Sequence, residues 1–466
     1  MAEWLLIGTS LAYIGLLFGI AYWADRRAEA GHSLVNNPVI YTLSIAVYCT
    51  AWTFYGSVGR AAQDGMGFVT IYLGPTLVAI LWWLVLRKLI RIAKQHRITS
   101  IADMIASRYG KSMLLGGIAT TIAVIGVTPY IALQLKAVAA SFEVLASFPG
   151  EPDTAAPAGL FGDNAFWVAC ILAIFAILFG TRHIDATERL EGMVVAVAFE
   201  SVVKLVAFVA VGIFVTFFVF PGPAELMEQA REHTELDELL TLRNSTGGYG
   251  SWLAMLLLSM GAILFLPRQF QVTVVENVDE DHLRTAAWLF PLYLLVINLF
   301  VLPIALAGLV FFGDGSVAAD NYVLALPLAE GNELLALLVY IGGFSAATGM
   351  VIVATIALAI MVSNDLIMPC LLRLRHWPFV QRLDLRRTII TLRRLIIAAL
   401  VLMGYAYFRL IADSYTLVSI GLISFVAVAQ FAPAILLGMY WKGASRAGAV
   451  TGLTAGFAVW AYTLFL

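Results

Sequence analysis

The sequence predicts an all-α protein that crosses a membrane many times, and three observations predict it. Hydrophobic residues make up 61% of the 466 and charged residues only 12%, about half the charge a soluble domain carries on its surface. The apolar residues fall into twelve runs long enough to cross a bilayer, which takes about 20 residues each. Lysine and arginine are concentrated in every second connection between those runs. Each run must be helical, because backbone polar groups have no water to pair with in lipid.

Taken in order, the spans are 4–23, 38–59, 67–88, 113–147, 165–180, 192–220, 251–267, 286–312, 334–362, 395–411, 415–440 and 447–466. The first has no basic residue before it and no small-residue cleavage site, so it is a retained span rather than a cleaved leader. The fourth is long and contains Pro129, and the fifth is short. The connection 149–163 is a Pro/Ala loop, and 221–247 has room for a short surface helix over Pro223 to Leu242.

Basic residues set the orientation. Alternate connections carry Arg26 and Arg27, seven residues from Arg87 to Lys111, Arg182 and Arg189, Arg268 and Arg284, seven from Arg373 to Arg394, and Lys442 with Arg446. These are 22 of the 28 basic residues, and the opposite connections carry only Arg60, Arg231 and Arg243. The bias places the first set in the cytoplasm and the N-terminus outside. For a bacterial inner membrane that side is the periplasm. The basic loops are expected to serve topology and lipid head-group contact.

Several functions are excluded. The net charge of −2 offers no nucleic-acid surface. The three cysteines (Cys49, Cys170, Cys370) form no disulfide framework or metal spacing, and the six histidines form no zinc motif. No Gly-rich phosphate loop supports ATP hydrolysis. No cofactor is expected.

Two features point to a binding site in mid-membrane. Gly56 and Gly59 interrupt the second span, and Gly261 and Pro267 the seventh. Two interrupted helices five spans apart are the pattern of an inverted repeat, with spans two to six and seven to eleven as the halves. Lys136, Glu200 and Lys204 lie within apolar spans, where an ionisable residue is costly and faces the bundle interior. Glu200 and Lys204 are four apart and share a helix face. They read first as a static ion pair and second as a proton-linked pair, since burial disfavours both charged forms. Gln134 and Tyr130 likewise share a face, beside Lys136.

The segment Gln430-Phe-Ala-Pro433, with Leu437-Gly-Met-Tyr-Trp-Lys442 and Ala447-Gly-Ala-Val-Thr-Gly452, resembles a hallmark of the sodium/solute symporter family. A narrower resemblance runs from Tyr48 to Ala62, Ile71 to Thr76, Leu86 to Lys111, Pro129 to Ala137, Gly342 to Thr348 and Met361 to Leu366. These segments look like the membrane part of CbrA-type sensor histidine kinases, in which a symporter-like domain is fused to cytoplasmic modules. The chain shows no kinase stretch and is expected to be a truncated or membrane-only form, one domain over 1–466 with core repeats near 38–220 and 251–440.

The resemblance implies a LeuT-type fold, five plus five core helices, with the substrate held at the two broken spans. It aligns Trp52, Gly56 and Gly59 with family positions, places sodium-ligand carbonyls on Ala46 and Cys49, and puts Tyr48 where a subgroup has an aspartate. Counting back from Asp365 puts the sodium-site alanine on Ala346 and the two hydroxyl positions on Gly349 and Met350, neither of which has an oxygen to offer a hard cation. Ser345 and Thr348 are the nearby alternatives. The sodium site is therefore doubtful, and proton coupling is favoured over sodium. Candidate substrate contacts are Trp52, Tyr55, Tyr48, Gln134, Ser259, Ile263 and Gln430. Phe54 also flanks the second-span break. The implied function is uptake of a small amino acid, histidine first, by a module that senses nutrients for an attached kinase and its response regulator. The alternatives are a receptor with little transport and, less favoured, a channel.

Overall fold

A computed structural model describes residues 1–148, 159, 162–180, 190–233, 239–241, 248–313, 315–373, 385–410 and 416–464. The 149–158 stretch of the Pro/Ala loop and the basic residues Arg182, Arg189, Arg243, Arg375 and Arg382 lie outside them. Among the described residues every regular element is helical and no strand forms.

The elements are α1 (Glu3–Glu29), α2 (Pro38–Ile45), α3 (Ser57–Asp64), α4 (Thr70–Leu81), α5 (Leu86–His96), α6 (Ile101–Arg108), α7 (Met113–Ser147), α8 (Asn164–Gly180), α9 (Glu191–Phe214) and α10 (Pro223–His233). Then come α11 (Gly248–Phe265), α12 (Pro267–Phe270), α13 (His282–Asn298), α14 (Val301–Phe311), α15 (Tyr322–Ala329), α16 (Glu333–Met361) and α17 (Met368–Arg373). The last are α18 (Leu385–Leu410), α19 (Leu417–Ala429), α20 (Phe431–Tyr440) and α21 (Arg446–Thr463).

Among the described residues, nine helical runs are long and apolar enough to span a membrane, against the twelve expected. The difference has local causes. The second span is cut at its middle, leaving Pro38–Tyr48 as a short apolar helix whose other half runs on into the third span as Trp52–Leu81. The fifth span is a 17-residue helix. The twelfth, α21, is an 18-residue helix that begins on Arg446 and is not among the nine, whereas the eighth is counted although it bends between α13 and α14 at Leu299 and Phe300. Pro129 leaves the 35-residue α7 unbroken; neighbouring helices hold such residues in place in a membrane bundle.

The centre of the bundle is α7, α9 and α16, with α2 packed on α9. Lipid is as apolar as leucine, so these helices associate through close packing at small residues and through buried polar bonds. Gly342 and Gly343 on α16 illustrate this: a side chain at either would overlap the Phe54 or Tyr55 ring. Among the described residues four π-helical turns interrupt the bundle, at Trp52–Gly56, Val215–Val219, Gln271–Val275 and Val362–Ile367. Such turns insert one residue into a helix and gather at functional sites.

Two helices are broken in mid-bundle, but not at the expected glycines. The first break is at Cys49, whose φ of −78° and ψ of 97° are extended; Gly56 lies inside the π turn that follows. The second is at Leu266, with φ −62° and ψ 130°, just before Pro267. Proline there forces its predecessor out of the helical region, while Gly261 sits within α11.

Candidate functional site

The first break frees the carbonyl end of one half-helix and the amide end of the next. The amide end is satisfied internally. Ala51 N–H donates to Gln134 Oε1 at 3.1 Å, and Trp52 N–H to Thr50 Oγ1 at 3.2 Å. The carbonyl end takes a cation. Lys204 Nζ, on α9, donates to the Ala46 carbonyl at 2.7 Å and to the Cys49 carbonyl at 2.6 Å. Lys204 is 3% exposed. The two carbonyls expected to ligate sodium are thus held by a side-chain ammonium, and the residues present do not fit a sodium ion there.

Glu200, one turn earlier on α9, does not pair with Lys204: among the described residues no nitrogen–oxygen contact within 4.0 Å joins them. The expected ion pair is replaced by two separate engagements, because the side chains diverge toward different helices. Thr348 Oγ1 on α16 donates to Glu200 Oε1 at 2.6 Å, and Ser345 Oγ donates to the Glu200 backbone carbonyl at 3.0 Å. Ser345 in turn accepts from the Tyr13 hydroxyl at 2.8 Å. Ser345 and Thr348, the alternative hydroxyls of the sequence reading, therefore both donate to Glu200. Gly349 lets Glu200 lie against α16, since a methyl there would overlap Oε2. Ala346 and Met350 are buried on the same helix.

Above the break lies an aromatic cluster. The Trp52 ring meets Phe425 edge-on at 4.8 Å and Tyr130 at 6.1 Å, while Tyr130 and Phe425 stack at 6.1 Å. Edge-on and offset pairs of this kind each contribute about 0.5–1.5 kcal/mol beyond burial. Tyr48 joins through Phe425 and Phe290, and its hydroxyl donates to the Ile71 carbonyl at 2.9 Å. Tyr130 and Thr50 share a hydrogen bond of 3.0 Å, tying α7 to the break.

The second break delivers Arg268 to this cluster. The sequence reading put Arg268 in a basic loop; it is instead 1% exposed, with its guanidinium 4.3 Å from the Tyr130 ring centroid. The span runs on through the π turn to Val275, so the apolar run ends before the helix does. Gln269 Nε2 donates to the Ile45 carbonyl at 3.3 Å and links the two breaks.

The remaining candidates lie elsewhere. Ser259 donates to the carbonyls of Thr70 and Leu256 and seats α11 on α4. Ile263 is buried on α11. Gln430 bonds back to Val426 and lies against the last helix at Gly456. Tyr55 is buried beneath α16. Lys136 is half-buried and interacts with Asp320, on the turn before α15. Burial lifts the Asp320 carboxyl to about 6, against the Leu417 backbone and Lys136, which favour its charged form.

At the face bearing α5, Glu280 joins two arginines. Arg91 donates to it at 2.6 and 2.8 Å and Arg87 at 3.0 Å. These bonds, Arg91 first, hold the Glu280 carboxyl down at about 2. Sequence reasoning did not single out Glu280, Asp320 or Phe425, and Arg268, one position past Pro267, was read only as a loop cation.

The profile of the sodium:solute symporter family matches residues 29–456. The chain belongs to this family. The uncharacterised symporter YodF of Bacillus subtilis is 24% identical over 428 residues, covering 88% of this chain and 76% of that protein. The uncharacterised symporter YhjB of the same organism is 24% identical over 276 residues, 59% of this chain and 52% of the relative. The substrate-bound, outward-open structure of a Na+-coupled sialic acid symporter superposes with a TM-score of 0.69 at 12% identity, covering 97% of this chain and 91% of that one. The symporter thus shares that fold, a LeuT-like arrangement. It is a multi-pass membrane transporter by family.

Proposed function

We propose that this symporter takes up a small amino acid, histidine first, and couples uptake to protons. The observation that carries the coupling is the Lys204 ammonium on the Ala46 and Cys49 carbonyls. A lysine charge is acquired and lost with a proton, so the cation that steadies the broken helix is supplied by protonation. Deprotonation removes two charge-assisted bonds and frees the half-helix to move against α9. Glu200, one turn away and hydrogen-bonded to Thr348, is the second group of the relay. The two halves, near 38–220 and 251–440, then alternate access about the breaks.

Histidine, and service as the sensing module of a kinase with its response regulator, rest on the resemblance of the quoted segments to CbrA-type membrane parts. The lysine and arginine bias supports a periplasmic N-terminus in an inner membrane. The test is labelled-histidine uptake by proteoliposomes of the purified chain, with proton and sodium gradients imposed separately. Uphill uptake driven by protons alone is the expected result. Sodium-driven uptake overturns the coupling, and saturable binding without uptake replaces the carrier by a receptor.

A further inference from the structure

Arg268 has no part in that coupling, and its surroundings are unusual. A guanidinium keeps its charge in a protein, and a buried charge without a partner is strongly destabilising. Yet none of Nε, Nη1 and Nη2 meets an acceptor with hydrogen-bond geometry, and all three atoms are buried. No ion pair reaches Arg268 among the described residues. The groups facing it are the Tyr130 ring on α7, Tyr48 and Cys49 at the first break, and Lys204 on α9. Of these, Tyr130 already shares its hydroxyl with Thr50, and Lys204 is itself a cation. The carboxylate beside Lys204, Glu200, is held by Thr348. Among these groups the guanidinium is the cation whose nitrogens meet no acceptor with hydrogen-bond geometry.

The position is also next to both breaks, where the family resemblance implies the solute is held. Arg268 follows the second break by two residues, and Gln269 joins that break to the first. The Tyr130 ring lies against it, and Trp52 and Phe425 pack on Tyr130. An arginine fork matches a carboxylate with two parallel bonds, a geometry a lysine cannot copy.

We propose that Arg268 is the receptor for the carboxylate of the transported solute, so that the substrate class is carboxylates, with the aromatic cluster taking the rest of the molecule. This rests on the symport reading but not on histidine as the solute or on protons as the coupling ion. The cation–π contact with Tyr130 holds the guanidinium in place without using its donors.

The test compares acids with their amides on the purified chain, by ligand-induced thermal stabilisation. L-Histidine and L-histidinamide are the first pair, followed by the other common L-amino acids and their amides. The acid is expected to stabilise the wild type and the amide to bind about 30-fold more weakly or worse, the loss of a charge-assisted bidentate contact. Arg268→Gln should lose acid binding to the same extent and no longer distinguish acid from amide; Arg268→Lys should retain part of the discrimination. Equal binding of acid and amide by the wild type overturns the assignment, as does a panel in which no acid binds better than its amide. Because that comparison uses the wild type, it holds even if Arg268→Gln fails to fold. If another amino acid binds and its amide does not, histidine falls as the substrate and Arg268 stands.

Discussion

Replacing Lys204 separates a tethered cation from a merely structural lysine. In the wild type one ammonium makes bonds of 2.7 and 2.6 Å to two carbonyls at the first break. Bonds to a charged donor contribute about 1.5–3 kcal/mol each, which sets a gross loss of about 3–6 kcal/mol for Lys204→Ala. Part is returned because the variant no longer keeps a charge out of water, and the Ala46 carbonyl keeps its bond from Cys49 N–H. A net destabilisation of about 2–3 kcal/mol is expected. The decisive feature is rescue. Truncation leaves two carbonyl oxygens and room for a small cation, and a cation at 100 times its Kd restores about 2.7 kcal/mol. Thermal melts of Lys204→Ala in sodium and in potassium at equal ionic strength should therefore differ, with sodium stabilising, while the wild type melts identically in both. Proton-driven uptake should be lost in the variant. Selective stabilisation of the wild type by sodium would refute the reasoning, and so would a Lys204→Ala variant that melts like the wild type in every salt.

Three further outcomes are expected. Gly349→Ala places a methyl against Glu200 Oε2 and displaces the carboxylate from Thr348; proton-driven uptake should fall at least about 10-fold, the worth of one bond to a charged group, while acid binding measured by thermal shift persists. Asp320 binds its proton more tightly when folded, at about 6 against an ordinary 3.8, so it adds stability as pH falls through that window and loses it as pH rises; pH-dependent melts of Asp320→Asn should lack this slope and otherwise follow the wild type. Glu280 is the opposite case, lowered from 4.5 to about 2; its contribution is complete above pH 4.5 and disappears toward pH 2, so the melting difference between wild type and Glu280→Gln should be constant from pH 5 to 8.

Length and apolarity made the helices legible in the sequence, and charge within apolar runs made Glu200 and Lys204 legible. Their destinations were not. A spacing of four says that two side chains share a helix face, but not that one reaches a broken helix and the other a threonine on α16. The sodium-type carbonyls of Ala46 and Cys49 came from resemblance, and the group that occupies them is set by tertiary packing. Counting back from Asp365 to Ala346 crosses the π turn at Val362–Ile367, where an inserted residue shifts any simple register. Arg268 was misread because a basic residue at the end of an apolar run looks like a topological marker, whereas the helix resumes after Pro267 and carries it inward. Ser259 and Gln430 show the reverse: residue types suited to a site that are used to seat helices.

The helix that carries Ser345, Thr348 and Gly349 has a mechanical consequence. From Glu333 to Arg373 it runs 41 residues without leaving helical geometry, about 60 Å at 1.5 Å per residue, against the 40–45 Å of a whole bilayer. It is a rod longer than the membrane is thick. At one end it carries Asn364 and Ser363, which receive Arg393 of α18. A tilt of about 5° at the level of Glu200 swings an end roughly 30 Å away by nearly 3 Å, about one hydrogen-bond length. On the proton-coupled reading proposed above, a change at the centre would reach the surface as a displacement of this size.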